Sequence, residues 1–585
     1  MTANIRPAAR PGVWRILVIG LVAVLAVGIG TAAGAFLLNG RVSGAGDAAT
    51  YVAPDAPMYF ELRLDPGTGQ DTALRELLGR FPPIEGLDLD RPLYDQLGEV
   101  IDEQLAEHDD VELTWAADVE PWFDGSVAFA VTDIPMEAMA DPADPTAMSE
   151  LPGMLVVIGV TDADAARATL DRLAVEAAER DVELVEAEHR GVAIFSHADE
   201  GAYAVTDDAI LFAPDAAAIT AALDIHADPD AGLAATDQLE TAIAALPADW
   251  LAFSAFDFSG MMAAGFADAG EGEDAAAVAA MQALMEHQPM RGAMAVTAQG
   301  DRLAIDGASA APTGPFAAEN ADRGLASEVP GDALYYVESG NIGEALGAVL
   351  EAVKEAAETD PEAAEQIEMA EAALGAELPE LVEWIDDGAI AAGWDAAAPW
   401  AGIILVPSDV DAADRRLGQL ATFATLAGMD PSSGVSVTES EIAGEEVTTI
   451  RWSDPEAVEE SGLPLGDGIV IEYTVTDDRA IIGIGDAFVR RVLELDAADS
   501  LGADARYSST IEELGGTTNA GVTWLDLAAA REAALAAMAP MMAFIDPDGE
   551  FATSVEPWLL PLDRFASVAV LDGDVLVQRA ALFVE

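Results

Sequence analysis

The strongest constraint on how this chain folds is an internal repeat. Residues 203–208 read YAVTDD before an apolar run, and residues 473–478 read YTVTDD before another. Further matches follow in the same order along both halves: residues 52–59 with 329–336, 119–125 with 381–388, 155–166 with 403–413, 255–258 with 524–527, and 293–301 with 567–574. A tandem duplication doubles one fold, so a feature present in both halves indicates architecture. Chemistry confined to one half needs independent support.

Length and composition indicate folded domains rather than disorder. The chain has 585 residues, of which 51% are apolar, and domains usually contain about 100–200 residues. We predict these segments: a cytoplasmic N-terminus (1–15), a transmembrane helix (16–38), a Gly/Ala/Ser-rich linker (39–50), a first α+β repeat (51–310), a Pro/Gly-containing linker (311–328) and a second α+β repeat (329–585).

The apolar segment near the N-terminus predicts a single membrane anchor. Residues 16–38 contain no charged side chain, and about 20 apolar residues cross the hydrocarbon core as a helix. Arg6, Arg10 and Arg15 precede the segment, so the positive-inside rule places the N-terminus in the cytoplasm and the rest of the chain outside it. Residues 33–35 (Ala-Gly-Ala) resemble a signal-peptidase site, which leaves cleavage as the alternative.

The charge balance excludes several classes of function. The chain has 106 acidic and 26 basic residues, for a formal net charge of −80, and contains no cysteine. Such a surface repels phosphate backbones, which excludes nucleic acid as a partner. Disulfides, thiolate metal sites and cysteine nucleophiles are excluded as well. The acidic face is either a means of solubility or a binding surface for cations or basic partners.

Short β-rich runs, at residues 192–195, 203–206 and 210–213, follow one another across turn-like breaks and predict antiparallel hairpins. Asp162 and Asp409 each follow a strand-like run and are predicted to cap the next helix.

Helical spacing gives an apolar stripe predicted to lie on a sheet: Ile342, Leu346, Val349, Leu350 and Val353. The fold class is α+β: a transmembrane helix, then a tandem duplication of mixed, mostly antiparallel sheet domains covered by helices.

These segments resemble the bacterial DUF3352 family. The resemblance lies in Pro54-Asp55-Ala56 with Tyr59, in the helix ending near Phe81, in residues 118–122 (DVEPW), and in the strand-helix unit after Leu155. It covers most of the chain beyond the anchor. The family looks like one of membrane-anchored envelope proteins without an assigned activity, so the resemblance implies topology and fold but no catalytic residue and no cofactor.

A search for metal and phosphate sites yields no strong candidate. The sequence has no HExxH, GxSxG, SxxK or Walker-type motif. His189 and His197 flank one strand and are more typical of exposed strand ends than of metal ligands. Residues 546–550 (DPDGE) are rich in oxygen ligands but lack EF-hand spacing, which favours a solvated acidic turn over a calcium site. We predict no catalytic, cofactor-binding or metal-binding residues.

Paired carboxylates and paired tryptophans recur in both halves. Asp207-Asp208 and Asp477-Asp478 lie between strand-like runs, where tight turns favour aspartate. The alternative is acid–base chemistry, which requires carboxylates that converge across a pocket. We interpret Trp122 and Trp384 as side chains that anchor the core rather than as surfaces on which a ligand stacks.

Three functions remain open. The first is a non-enzymatic, membrane-tethered module that has an interaction or structural role in the cell envelope. The second is a carrier or sensor of an apolar ligand or lipid, with Ala/Met-rich helices at residues 275–285 and 527–542 lining a cavity. The third is a carboxylate-based hydrolase, which would place two carboxylates about 5–10 Å apart in a cleft.

Overall fold

The computed structural model describes residues 46–84, 86–106, 113–133, 153–179, 184–197, 201–233, 237–260, 281–282, 284–357, 361–395, 399–429, 434–453, 468–546 and 549–585. The predicted membrane segment, residues 16–38, lies outside these ranges. None of the helices inside them combines the length and the apolar content that a bilayer crossing requires.

Chain contacts divide the protein into two units. The first comprises residues 1–263 and 290–309, and the second comprises residues 264–289 and 310–585. Residues 311–328, which we interpreted as a linker, belong to the second unit, where Leu325 and Ala326 are buried.

The first unit is built on an antiparallel sheet. In chain order its described strands are β1 (Met58–Arg63), β2 (Phe123–Asp133), β3 (Gly153–Val160), β4 (Val185–His189), β5 (Val192–His197), β6 (Gly201–Val205), β7 (Ala209–Ala213), β8 (Ala252–Asp257), β9 (Arg291–Ala298) and β10 (Arg302–Ala310). In space the order is β10-β9-β8-β1-β2-β3-β7-β6-β5-β4.

The second unit has the same strand order. A two-residue strand pair, β11 (Ala321–Asp322) with β19 (Thr518–Asn519), stands apart from its sheet. The described strands of the sheet are β12 (Ala333–Ser339), β13 (Ile385–Trp394), β14 (Pro399–Pro407), β15 (Val435–Ile442), β16 (Glu445–Trp452), β17 (Ile469–Val475), β18 (Ala480–Ile484), β20 (Gly521–Asp526), β21 (Leu562–Asp572) and β22 (Val575–Val584). Their order is β22-β21-β20-β12-β13-β14-β18-β17-β16-β15, antiparallel throughout.

Helices connect the strands in both units. Those described in the first unit are α1 (Gly67–Leu78), α2 (Leu93–Ala106), α3 (Ala163–Glu179), α4 (Ala216–His226) and α5 (Asp237–Ala244). Those described in the second unit are α6 (Ile342–Ala357), α7 (Pro361–Leu374), α8 (Val410–Ala427), α9 (Phe488–Leu493), α10 (Ala505–Leu514), α11 (Leu527–Ile545) and α12 (Glu556–Leu559). The prediction of a mixed α+β fold with antiparallel sheets and helices is confirmed.

The predicted helix caps are present in both units. The Asp162 side chain accepts a hydrogen bond of 3.0 Å from the backbone N–H of Ala165 at the start of α3. Asp409 accepts the corresponding bond, also 3.0 Å, from Ala412 at the start of α8. Each carboxylate satisfies an N–H group that has no partner within its helix.

Helix α6 packs differently from the prediction. The sequence places Leu346 and Val353 on a sheet-facing stripe, yet they are 42% and 48% exposed, and the buried face consists of Gly343, Gly347 and Ala352. A Cβ atom on Gly343 would lie 2.2 Å from the carbonyl oxygen of Ile385. At Gly343 the backbone of α6 approaches β13 so closely that only a residue without a side chain fits. Leu346 and Val353 are turned outward, whereas Ile342, Val349 and Leu350 are half-buried.

The repeated tryptophans are buried at equivalent places. Trp122 is 1% exposed and Trp384 is 6% exposed. The carbonyl oxygen of Trp122 accepts a backbone hydrogen bond of 2.7 Å from Thr161, and that of Trp384 accepts one of 2.8 Å from Ser408. Each tryptophan therefore ties the segment before one strand to the residue that follows the next strand.

We expect the Trp122→Ala variant of the full chain to lose about 3–5 kcal/mol of unfolding free energy in the first unit, because the buried ring leaves a cavity. Urea denaturation followed by circular dichroism measures the change. Val175→Ala, at an exposed helical position, serves as the control and should stay within about 0.5 kcal/mol of the unmodified protein. A Trp122→Ala protein as stable as the control would contradict the role of Trp122 as an anchor.

Candidate functional site

The first unit contains a cleft of about 870 Å³ between its sheet and two helices. Strands β5 and β6 and helices α3 and α4 contribute the lining, and the turn between β6 and β7 closes one end. Small-molecule sites usually occupy about 300–1,000 Å³. The cleft is therefore large enough for a small organic ligand.

Apolar side chains form the inner surface of the cleft. Tyr203 and Val205 lie on one face of β6, two residues apart, and the ring of Phe195 stacks on that of Tyr203 with centroids 5.1 Å apart. Leu170 from α3 and Leu223 from α4 pack behind this wall. Together with Tyr203 they are 1–4% exposed, so the apolar surface open to the cleft is that of Val192, Ala193 and Phe195. Burial raises the pKa of the Tyr203 hydroxyl well above its usual range, with a smaller contribution from the charge of a nearby aspartate.

Arg167 forms one side of the rim. Its guanidinium lies 3.1 Å from the Asp164 carboxylate, on the same helix, and 3.5 Å from Asp207 in the turn after β6. It also donates a hydrogen bond of 3.3 Å to the carbonyl oxygen of Thr206. Arg167 thus connects α3 to the turn, and its charge is paired.

Arg190 forms another part of the rim, in the turn between β4 and β5. Its φ of 51°, followed by 84° at Gly191, gives the left-handed pair that a two-residue hairpin turn requires. Its Nε lies 2.6 Å from Asp224 Oδ1, which is also 2.8 Å from His189 Nε2. The hydrogen bonds from His189 and Arg190 lower the pKa of the Asp224 carboxyl.

Tyr51 is buried behind the end of the cleft and holds three of its lining residues: Thr206, Asp208 and His226. Its hydroxyl donates to Asp208 Oδ1 at 2.5 Å and lies 2.8 Å from Thr206 Oγ1. Its ring stacks on His226 with centroids 4.0 Å apart, and His226 Nδ1 lies 2.9 Å from Thr50 Oγ1. Burial raises the pKa of the Tyr51 hydroxyl well above its usual range, and the hydrogen bond to Asp208 adds to the shift.

The second unit lacks the aromatic pair of the cleft. Phe195 stands opposite Tyr203 across β5 and β6. At the same place in the second unit, Thr448 stands opposite Tyr473 across β16 and β17. A threonine therefore replaces one of the two stacked rings.

The two arginines of the rim are also missing from the second unit. Arg167 and Asp414 occupy the same position after the capping aspartate of their helices. Arg190 corresponds to Ala443, whose φ of 55° at the equivalent hairpin turn matches the 51° of Arg190. The backbone conformation is retained while the side-chain chemistry changes.

The bond from Tyr51 to Asp208 at the end of the cleft is replaced by an ion pair in the second unit. Tyr51 ends a short 3-10 turn before β1, and Glu328 ends the corresponding turn before β12. Glu328 pairs with Arg479, whose Nη2 lies 2.7 Å from Glu328 Oε1, directly after the matching aspartate pair. The cleft chemistry thus belongs to the first unit, whereas the backbone around it is common to both.

A buried glutamate recurs in both units and escaped the sequence analysis. Glu61 on β1 is 2% exposed and accepts hydrogen bonds from the Tyr59 hydroxyl at 2.7 Å and from the backbone N–H of Gly46 at 2.9 Å. Glu338 on β12, also 2% exposed, accepts a hydrogen bond from the Tyr336 hydroxyl. Burial raises the pKa of both glutamates, although their hydrogen bonds oppose the shift. The repeated Tyr-x-Glu spacing was the available signal.

The paired aspartates lie in tight turns, as their pattern predicts. A backbone hydrogen bond of 2.8 Å closes each turn, from Thr206 to Ala209 and from Thr476 to Arg479. Asp207 and Asp208 also line the cleft. Because Asp208 accepts the Tyr51 hydrogen bond and Asp207 faces Arg167, both carboxylates are engaged within the fold.

The histidines do not converge on one site. His189 lies at the turn end of the β4–β5 hairpin, opposite Val192, and His197 lies at the other end of β5, opposite Gly201. His226 stacks on Tyr51 in the cleft, and His108 lies outside the described residues. Among the residues that the structure describes, no group of three potential His, Asp or Glu ligands is placed to hold a metal ion.

The acidic turn at residues 546–550 and the single lysine both have structural roles. Asp546 accepts backbone hydrogen bonds from Glu550 at 2.8 Å and Phe551 at 2.9 Å, which caps the turn after α11; Pro547 and Asp548 lie outside the described residues. The single lysine, Lys354, lies 3.1 Å from Glu371 and 2.9 Å from Glu377.

Comparison with known proteins assigns the chain to a family. A family model described as "Protein of unknown function (DUF3352)" matches residues 16–555. The chain belongs to the DUF3352 family. The resemblance noted in the sequence is thereby confirmed. No curated protein matches this DUF3352 chain.

Two solved structures show a distant likeness to this DUF3352 protein. Crystal form IV of TP0453 is 10% identical, with a TM-score of 0.19, over 44% of this chain and 92% of that one. Crystal form III of TP0453 is also 10% identical, with a TM-score of 0.18, over 44% of this chain and 93% of that one.

The buried glutamates predict a pH dependence of stability. A carboxyl group whose folded-state pKa is raised binds its proton more tightly in the folded state, so its stabilising contribution is present below the unfolded pKa and is lost as pH rises through the folded pKa. The unfolding free energy should therefore fall as pH rises from the usual glutamate pKa of about 4.3 to neutral pH. We expect this fall to be smaller in Glu61→Gln and in Glu338→Gln, because neither glutamine titrates. Urea midpoints measured across that range test this. Variants whose midpoints follow the pH curve of the unmodified protein would contradict it.

Proposed function

We propose that this DUF3352 chain is a membrane-anchored, extracytoplasmic binding protein that holds a small molecule with an apolar body in the cleft of its first unit and performs no chemistry on it. The observation that carries the proposal is the cleft itself. Its accessible apolar surface is formed by Val192, Ala193 and Phe195 on β5, and its volume suits a small ligand.

The hydrogen bonds and ion pairs of the polar side chains at the cleft support binding rather than catalysis. Asp208 accepts the Tyr51 hydrogen bond, and Arg167 and Arg190 are paired with carboxylates. Acid–base catalysis needs a group free to exchange a proton with the substrate. Each of these three side chains already has a partner within the fold.

The sequence supports the anchor and the duplication. Residues 16–38 are uncharged, and three arginines precede them, which favours a single span with the body of the protein outside the cytoplasm. The repeated motifs and the common strand order support a tandem duplication of one domain. The ligand site arose in one copy, or was retained in one copy, of this duplicated frame.

An interaction module in the cell envelope is the second candidate. A row of directly opposed residues crosses the sheet of the second unit: Tyr335, Ala392, Ala401, Ile484 and Ile471. Ile484 is 50% exposed, and Tyr335 and Ile471 are each 39% exposed. Exposed apolar patches of this kind often mark protein interaction surfaces.

We expect full-length protein, purified gently from its own membranes, to carry a bound apolar molecule that native mass spectrometry and solvent extraction detect. Ala193→Trp should abolish this occupancy, because Ala193 lines the cleft and an indole would fill it. Glu446→Trp is the matched control, since Glu446 follows the equivalent hairpin turn of the second unit. An unmodified protein that is empty and binds no apolar probe would contradict the proposal and favour the interaction module, which crosslinking to a partner through the exposed face would support.

The anchor predicts a defined topology. Protease added to intact cells should degrade the region after residue 50, because the proposed topology places it outside the cytoplasm. Immunoblotting against a C-terminal tag measures this, and a cytoplasmic protein in the same cells is the control. Complete protection of the tag in cells whose envelope admits the protease would overturn the proposed location.

A further inference from the structure

The segment that leads into the first unit is part of its fold. Residues 46–52, which we call the strap, contain a short 3-10 turn that packs against α4 and β3. The backbone N–H of Gly46, at the start of the strap, donates a hydrogen bond of 2.9 Å to the buried Glu61. Four side chains of the strap are buried: Ala48, Ala49, Tyr51 and Val52.

The other end of the strap is attached to the cleft. The Tyr51 hydroxyl donates to Asp208 and lies 2.8 Å from Thr206 Oγ1, and the Tyr51 ring stacks on His226. The three residues that hold Tyr51 all line the cleft. The strap therefore cannot leave its place without withdrawing a buried side chain that supports one end of the cleft.

The strap also lies close in sequence to the proposed membrane anchor. Seven residues, 39–45, separate the apolar segment from Gly46. A fully extended residue spans at most about 3.6 Å, so these seven reach no farther than about 25 Å. The strap is thus the point at which the first unit is joined to its anchor.

From these contacts we propose that occupancy of the cleft is coupled to the docking of the strap. The docked strap fixes Thr206, Asp208 and His226, and a released strap leaves all three without their contact to Tyr51. An occupant that rests against these residues binds better to the docked arrangement than to the released one. By linkage, it then stabilises the docked strap by the same factor. This inference rests on the proposed function, because it describes the regulation of the same cleft.

Hydrogen-exchange mass spectrometry of the full-length protein tests whether strap and cleft open together. Tyr51→Phe keeps the buried ring and removes its hydroxyl. We expect amide exchange to become about tenfold faster in the strap, in the turn at residues 206–208 and at the end of α4 (residues 223–227), because the lost hydrogen bond opposes the opening of all three.

The second unit offers a matched control for this variant. The Tyr336 hydroxyl also donates to a buried carboxylate, that of Glu338. Tyr336→Phe therefore makes the same chemical change away from the cleft, and it should leave exchange in the strap, the turn and the end of α4 unchanged.

An occupant built into the cleft tests the coupling from the other side. Because Ile194 pairs with Ala204, Ala193 lies opposite Val205, the last residue before the turn. Bound molecules are first stripped on a hydrophobic resin, and native mass spectrometry confirms their loss. Ala193→Trp should then slow exchange in the strap by at least about fivefold. Ala193→Leu, which adds a smaller side chain, should slow it less, and Glu446→Trp in the second unit should have no effect.

Three results would overturn the coupling: faster exchange confined to the strap in Tyr51→Phe, faster exchange throughout the first unit in that variant, or a strap unaffected by both Ala193→Trp and Ala193→Leu. A protein that carries an apolar molecule but gives one of these results keeps the proposed function and loses this inference. Coupled exchange in a protein that is empty and binds no apolar probe would overturn the proposed function alone.

Discussion

In each unit the sheet is held together by the pairing of its first strand with two strands that are distant from each other in the chain. Strand β1 lies between β2 and β8, and β12 lies between β13 and β20. The ends of a long segment must meet before this pairing forms. The pairing therefore costs chain entropy, which the burial of apolar surface offsets.

Glu61 and Glu338 lie on these two central strands, and the tyrosine hydroxyl two residues earlier donates a hydrogen bond to each carboxyl group. Such a buried group is tolerated only while its hydrogen bonds are made.

The cleft depends on that centre although it lies toward the other end of the sheet. The strands β3, β7, β6 and β5 extend outward from β2 in register, and this order brings Tyr203 and Phe195 under helices α3 and α4. The second unit repeats the order with different side chains on the same backbone positions. Asp414 in place of Arg167 shows how one frame can keep its hydrogen-bonded ladder while its ligand chemistry changes, because backbone pairing is independent of the side chains at the rim.

Local features of the fold were predictable from the residues alone. Asp162 and Asp409 were recognisable as helix caps because a short carboxylate accepts hydrogen bonds from backbone N–H groups within its own segment. The Asp-Asp pairs were recognisable as turns because tight turns between strands favour aspartate. The α+β class followed from hairpin and helix patterns. The predicted stripe of α6 was wrong at Leu346 and Val353, because apolar spacing does not reveal how closely two backbones approach. Gly343 faces β13, and Leu346 does not.

The repeat, the acidic surface, the caps and the turns can be read from the residues alone, since each depends on neighbouring residues or on composition. Which side chains form the cleft depends instead on long-range packing. Arg167, Arg190, Phe195, Tyr203 and Leu223 carry no common motif, and they meet because antiparallel register and helix packing bring separate segments to one face. The burial of Glu61 and Glu338 was decided in the same way, because exposure is a property of the packed sheet and not of the strand.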